Sequence, residues 1–242
     1  MAGRTERGSV EPMPKALKAL TGFSGAFFLV ALYMVWFYAP REVVMGEVQR
    51  VFYFHVSSGW VGALAFLVTA IAGVIYLLRG DSRWDLLALS SVEIGVVFTL
   101  INIVSGSIWA KPIWGTWWTW DPRLITATIM ELIYVAYLML RQGIDDPHRR
   151  ARFGAVYGIA GFISVPITFL SIRLLRTIHP LVFGGAGGTL AGSFNMDPQM
   201  LSTFMISLLA FTFVFGTMLW HRYRLQWCTQ QLEQRKLKLI LD

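Results

Sequence analysis

Six long apolar stretches alternate with short polar segments along the chain. They run approximately over residues 19–39, 56–78, 86–109, 124–140, 153–172 and 200–220. Each is close to the roughly 20 residues that a helix needs to cross a hydrocarbon core about 30 Å thick. Helices are expected because backbone polar groups in lipid must be paired within their own segment, and the alternating pattern of a β-barrel is absent. The pattern predicts six transmembrane helices.

The composition also indicates a membrane protein. Hydrophobic residues make up 55% of the chain and charged residues 14%, and the mean hydropathy is +0.56, whereas soluble domains are about 25% charged. We therefore expect an all-α integral membrane protein that forms one polytopic domain over residues 1–242. The first stretch is too long for the core of a secretory signal peptide, so it is expected to remain in the mature protein.

The basic residues predict the orientation of these helices. Of the 21 lysines and arginines, six fall on one side: Arg41, Arg50, Lys111, Arg123, Arg173 and Arg176. The others collect on the side that carries both termini. Because cytoplasmic loops are enriched in lysine and arginine, both termini and a tail over residues 221–242 are predicted to be cytoplasmic, with three extracytoplasmic loops. The net charge of +7 follows from this bias, so no nucleic-acid partner is expected.

Four of the ten tryptophans crowd into the second outer loop, at Trp114, Trp117, Trp118 and Trp120, directly before Asp121. An aromatic belt at the headgroup level would scatter indoles over many helix ends. The cluster therefore favours a ligand site.

Two of the four histidines lie on the same predicted side as this cluster. His55 ends the first outer loop and opens the second span, and His179 lies in the third outer loop. A lone histidine at a membrane interface is commonly an anchor or a helix cap, but two beside an aromatic cluster favour a shared function. Neutral imidazole is an axial ligand of haem iron, and indole faces would bury a porphyrin. A zinc site would want three or four ligands, which the outer loops do not offer.

Arginines near these residues are candidate partners for the two haem propionates. Arg50 lies five residues before His55, and Arg123 follows the tryptophan segment. Either could form a charge-assisted pair with a propionate, or simply extend its charged end to the membrane surface. For Asp121 the sequence favours a structural role, either as the N-cap of span four or as the partner of Arg123.

At these residues the chain resembles a known family. The segment from Trp114 to Leu124, WGTWWTWDPRL, is similar to the WWD signature of haem-handling membrane proteins, and most similar to the CcmC family of the cytochrome c maturation system. The length, the six spans, VFYFHV around His55 and RTIH ending at His179 agree with that family. The related CcsA branch continues its signature with Asp-Pro-Lys-Glu and has more spans. Pro122 and Ile125 depart modestly from the CcmC pattern.

The resemblance implies noncovalently bound haem b on the extracytoplasmic face of the bacterial inner membrane. It implies His55 and His179 as axial ligands, contact between the tryptophan segment and the porphyrin, and transfer of haem to the chaperone CcmE. It also implies partnership with CcmA, CcmB and CcmD. No GxxxxGK[ST] phosphate loop is present, so ATP hydrolysis is left to those partners, and this chain would at most assist covalent attachment of haem to CcmE.

Three other functions stay open from the residues alone. A b-type membrane cytochrome would hold haem between facing helices for electron transfer. A transporter of haem or another solute would show broken apolar spans in paired halves. A scaffold would bind no ligand.

Several local features carry further expectations. Glu93, Glu131 and Asn102 are polar residues inside predicted spans, and for Glu93 we expect a pairing or helix-contact role. Pro166 is expected to kink span five. The tail after His221 is expected to continue span six as a helix, and the glycine-rich segment 184–192 is expected to be a flexible loop.

Overall fold

The computed structural model describes residues 12–180 and 196–241, and the glycine-rich segment 184–192 lies outside these ranges. The helices are α1 Lys15–Tyr33, α2 Val51–Arg79, α3 Ser82–Trp114, α4 Pro122–Gln142, α5 Pro147–Phe162, α6 Ser164–Leu174 and α7 Pro198–Leu241. A π-helical turn, Met34–Tyr38, extends α1, and a 3-10 turn, Glu47–Arg50, leads into α2.

In the part of the chain that the structure describes, six helical segments are long and apolar enough to cross a membrane, and α5 and α6 together form one of them. Their number matches the six predicted spans. Most are longer than the apolar stretches, because helical hydrogen bonding continues through the polar residues at their ends. α2, for example, runs from Val51 to Arg79.

The regular helical structure of the fifth span is interrupted at Ile163, three residues before Pro166. α5 ends at Phe162 and α6 begins at Ser164, and between them the N–H of Ile163 bonds to the carbonyl of Ala160 at 3.2 Å, a tighter i to i−3 bond. A proline ring clashes with the carbonyl four residues before it, which here belongs to Phe162. The interruption in the regular hydrogen bonding therefore falls where the steric conflict arises.

α2 and α3 form a long antiparallel hairpin at the centre of the bundle. Small residues bring the two helices close together. Gly62 lies against the side chain of Thr99, and Gly95 lies against Phe66. A Cβ at Gly95 would be 2.6 Å from the Phe66 ring. Phe66 in turn stacks on Tyr134 of α4 with ring centres 3.5 Å apart. α4, α5 and α7 surround this hairpin.

The connection between α3 and α4 marks one end of the bundle, which we call the tryptophan end. The opposite end is fastened by ion pairs. Arg141 of α4 binds Asp85 of α3, with one N–O distance of 2.8 Å, and Arg222 of α7 binds Glu93 at 2.6 Å. The expected pairing role of Glu93 is confirmed. The expected helical tail is also confirmed, because α7 continues without a break to Leu241.

Candidate functional site

His55 lies in the second turn of α2, inside the helix. Its predicted place at the end of the first outer loop is wrong, because the turn at Glu47–Arg50 starts the helical backbone earlier. Nδ1 of His55 lies 2.9 Å from the backbone carbonyl of Asn102 on α3. A carbonyl only accepts, so Nδ1 carries the proton and Nε2 keeps a free lone pair. The amide nitrogen of Asn102 is also 3.2 Å from Nδ1, but it donates to the His55 carbonyl at 2.7 Å.

His179 lies in the irregular segment after α6. Its Nδ1 is 3.2 Å from the carbonyl of Pro180, so the same reasoning leaves its Nε2 unprotonated. Burial lowers the pKa of His179 below its ordinary value, and the positive charge of Arg123 lowers it further. The imidazole is therefore neutral at pH 7, which is the form that binds a metal.

The two imidazoles face one cleft at the tryptophan end. Their ring centres are 6.2 Å apart. The cleft holds about 760 Å³ of empty space, which includes space open to the outside. Its walls come from α2, α3, α4 and the segments that carry Trp118 and His179. The apolar wall residues are Phe52, Val56, Ile103, Trp109, Leu124 and Ala127.

The four clustered tryptophans divide into two pairs. Trp114 and Trp118 line the cleft, and the ring of Trp114 meets His179 edge to face at 6.4 Å. Trp117 and Trp120 do not line it, and they are 57% and 81% exposed. Trp114 is also the last residue of α3, so the connection between the two helices is residues 115–121.

Asp121 is the N-cap of α4, one of the two structural roles expected for it. Its carboxylate accepts the N–H of Arg123 at 2.9 Å, the hydroxyl of Thr177 at 2.6 Å and the N–H of Ile178 at 2.9 Å. Burial opposes ionisation, but the hydrogen bonds from Thr177, Ile178 and Arg123 outweigh it and hold the pKa of the carboxyl below its ordinary value. Asp121 is therefore charged at neutral pH.

The two candidate arginines are placed differently. Arg123 lines the cleft, donates to the carbonyl of Thr168 and lies 4.8 Å from the ring centre of Phe169. Arg50 does not line the cleft. It pairs with Glu47 at 2.5 Å and donates to the carbonyl of Val35. The hydrogen bond to Val35 connects the end of the first span to the start of α2.

Comparison with known proteins gives the family. The model of the family described as Heme exporter protein C, CcmC, matches residues 8–238. The chain belongs to the CcmC family. Heme exporter protein C of Bradyrhizobium diazoefficiens is 32% identical over 181 residues, covering 74% of this chain and 67% of the relative. Heme exporter protein C of Escherichia coli K12 is 29% identical over 187 residues, covering 77% and 74%.

Membership of the CcmC family confirms the resemblance seen in the sequence. It makes the chain a multi-span membrane protein of cytochrome c biogenesis. The match, over residues 8–238, includes every described residue that lines the cleft.

Sequence reasoning missed three residues that shape the site in this CcmC-family chain. The carbonyl of Asn102 fixes the His55 ring, Gly106 leaves space for that ring, and Thr177 links Asp121 to the segment of His179. Asn102 stood out as a polar residue inside a span, and that was a usable signal. Gly106 and Thr177 carried none, because their roles depend on partners about 50 residues away in the chain.

Proposed function

We propose that this chain binds haem b in the cleft, with His55 and His179 as axial ligands, and loads it onto the haem chaperone CcmE during cytochrome c biogenesis. The observation that carries this proposal is the pair of imidazoles, each with Nδ1 committed to a backbone carbonyl. A hydrogen bond from the second ring nitrogen to a carbonyl orients a ligating imidazole and raises its basicity.

The distance between the rings supports a single iron between them. Two imidazoles on opposite sides of one metal ion, each bonded at about 2 Å, place their ring centres roughly 6 Å apart. The observed separation is 6.2 Å. Among residues 12–180 and 196–241 no cluster of three histidine, cysteine or carboxylate side chains is present that could complete a metal site. A porphyrin would supply the four remaining nitrogens itself.

The rest of the cleft suits a porphyrin. Phe52, Val56 and Leu124 supply apolar wall, and Trp114 and Trp118 supply indole surface; such contacts gain about 25 cal/mol for each Å² removed from water. Arg123 places a cationic group on the cleft wall for a propionate. When bound, haem would supply an iron for the two imidazoles and a vinyl group for attachment to the chaperone.

The proposed orientation puts the cleft outside the cytoplasm. Both termini and the tail would be cytoplasmic, because most lysines and arginines lie at the end opposite the tryptophans. Loading of CcmE would then occur on the extracytoplasmic face of the inner membrane. CcmA, CcmB and CcmD are the proposed partners, with ATP hydrolysis assigned to the transporter subunits.

Co-expression with CcmE tests the proposal. Covalent haem on CcmE should require this chain and should disappear in the His55→Ala, His179→Ala double variant. His148→Ala is the matched control, since His148 begins α5 at the opposite end of the bundle. Bound haem with reversible redox activity but no transfer to CcmE would instead identify a b-type cytochrome, and would refute the loading role.

A further inference from the structure

The carboxylate of Asp121 joins two segments that are far apart in the chain. On one side Oδ1 accepts the N–H of Arg123 and caps α4 at 2.9 Å. On the other side Oδ1 accepts the hydroxyl of Thr177 at 2.6 Å, and Oδ2 accepts the N–H of Ile178 at 2.9 Å. One buried side chain, 8% exposed, therefore fastens the start of α4 to the residues directly before His179.

The segment that carries His179 has little backbone support of its own. It follows Leu174, the last residue of α6, without regular helical structure. From residue 176 to 180 its backbone forms no hydrogen bond with the backbone of any other residue within the described ranges. The hydroxyl of Thr177, which donates to Asp121, also accepts the N–H of His179 at 3.0 Å. The backbone of His179 is thus held through Thr177.

We infer that Asp121 is a positioning residue that acts through Thr177 and the Ile178 backbone to hold His179 in the cleft opposite His55. A carboxylate suits this role because both of its oxygens only accept hydrogen bonds, and here together they accept three. The inference rests on the proposed function only in the test that measures haem. The three hydrogen bonds that Asp121 accepts, which we call the clamp, can be tested without haem.

The variant Asp121→Asn separates the clamp from the helix cap. Asparagine keeps one acceptor oxygen, and it is as good an N-cap as aspartate. Its amide group, however, presents a donor toward the N–H of Ile178, so that hydrogen bond is lost. Thr177→Val removes the hydroxyl with little change of shape, whereas Thr177→Ser keeps it.

Hydrogen exchange of the full-length, haem-free protein in detergent tests the clamp. Peptides over residues 175–180 should exchange about tenfold faster in Asp121→Asn and Thr177→Val, and at the wild-type rate in Thr177→Ser. Asp81→Asn is the matched control, because Asp81 caps α3 at the other end with a single bond to the N–H of Arg83 at 2.9 Å. It should leave residues 175–180 unchanged. Wild-type exchange in both Asp121→Asn and Thr177→Val would overturn the inference.

The absorption spectrum of the haem-loaded variants tests whether the clamp positions His179. Asp121→Asn and Thr177→Val should convert six-coordinate iron partly to a five-coordinate form, and added imidazole should reverse the change, as it should in His179→Gly. Faster exchange with an unchanged spectrum would overturn the positioning role. If the wild-type protein bound no haem, the proposed function would fail, and the exchange rates would still decide the clamp.

Discussion

Gly106 of α3 lies directly against the imidazole of His55. A Cβ built at Gly106 would be 2.8 Å from Cε1 of that ring, which is closer than carbon atoms approach without one of them moving, and 3.2 Å from Nδ1. The ring is also held by the carbonyl of Asn102, one turn earlier on α3. α3 therefore supplies both the hydrogen bond that orients His55 and the space that the ring occupies.

Gly106→Ala should weaken haem binding without unfolding the protein. The added methyl group pushes the His55 ring away from the carbonyl of Asn102, and loss of a hydrogen bond that orients a ligating ring costs about tenfold or more in metal affinity. The helix itself would gain, since alanine is preferred over glycine by roughly 1 kcal/mol. Haem titration and thermal unfolding measure the two effects separately. Gly216→Ala is the control, because nothing lies within 4 Å of that Cβ; an equal loss of affinity there would contradict the steric explanation.

The two pairs of tryptophans should respond differently to substitution. Trp114→Leu and Trp118→Leu should each lower haem affinity about tenfold, since losing roughly 60 Å² of apolar contact costs about 1.5 kcal/mol. Trp117→Leu and Trp120→Leu should change it less than about twofold by the same reasoning, because those side chains do not line the cleft and are largely exposed. Equal effects in all four variants would mean that the indoles act through the fold of the connection instead.

Substitutions of Arg123 and Arg50 should change different properties, haem affinity for Arg123 and thermal stability for Arg50. Arg123→Gln should lower haem affinity about tenfold or more, because a hydrogen bond to a charged group is worth about 1.5–3 kcal/mol. Arg50→Gln should lower the unfolding temperature, since Arg50 holds the carbonyls of Val35 and Ala39, and it should leave haem content per folded molecule unchanged. The reverse pattern would assign the propionate contact to Arg50.

The ion pair between Arg141 and Asp85 should stabilise the bundle at the end away from the cleft. Their side chains are 7% and 14% exposed. Arg141→Met leaves the partly buried carboxylate of Asp85 unpaired and should reduce the free energy of unfolding by about 3 kcal/mol. Adding Asp85→Leu removes the unpaired charge and should recover most of that loss. Denaturant titration of both variants checks this, and a double variant no more stable than Arg141→Met would contradict it.

The fold was largely predictable because its determinants are local in the sequence. An apolar stretch specifies a span through its own composition, Pro166 breaks the helix through its own ring, and Asp121 caps the helix that follows it. The start of α2 was missed because Glu47–Arg50 forms a helical turn from residues with no apolar pattern.

The site was predictable only in its residue types. The sequence brought His55, His179 and the tryptophans to one membrane face, but spacing within an irregular connection does not fix where a side chain points. It therefore gave no means of separating Trp114 and Trp118 from Trp117 and Trp120. The contacts of Asn102 and Gly106 with His55 depend on how α2 packs against α3, which no local pattern encodes.

The central claim is that His55 and His179 together hold the haem iron. The most direct measurement is the absorption spectrum of the purified protein beside the His55→Ala and His179→Ala single variants and their double variant. We predict a six-coordinate low-spin spectrum for the wild type, a five-coordinate form or partial haem loss in each single variant, and almost no bound haem in the double variant. An unchanged Soret band and full haem content in the double variant would contradict the claim.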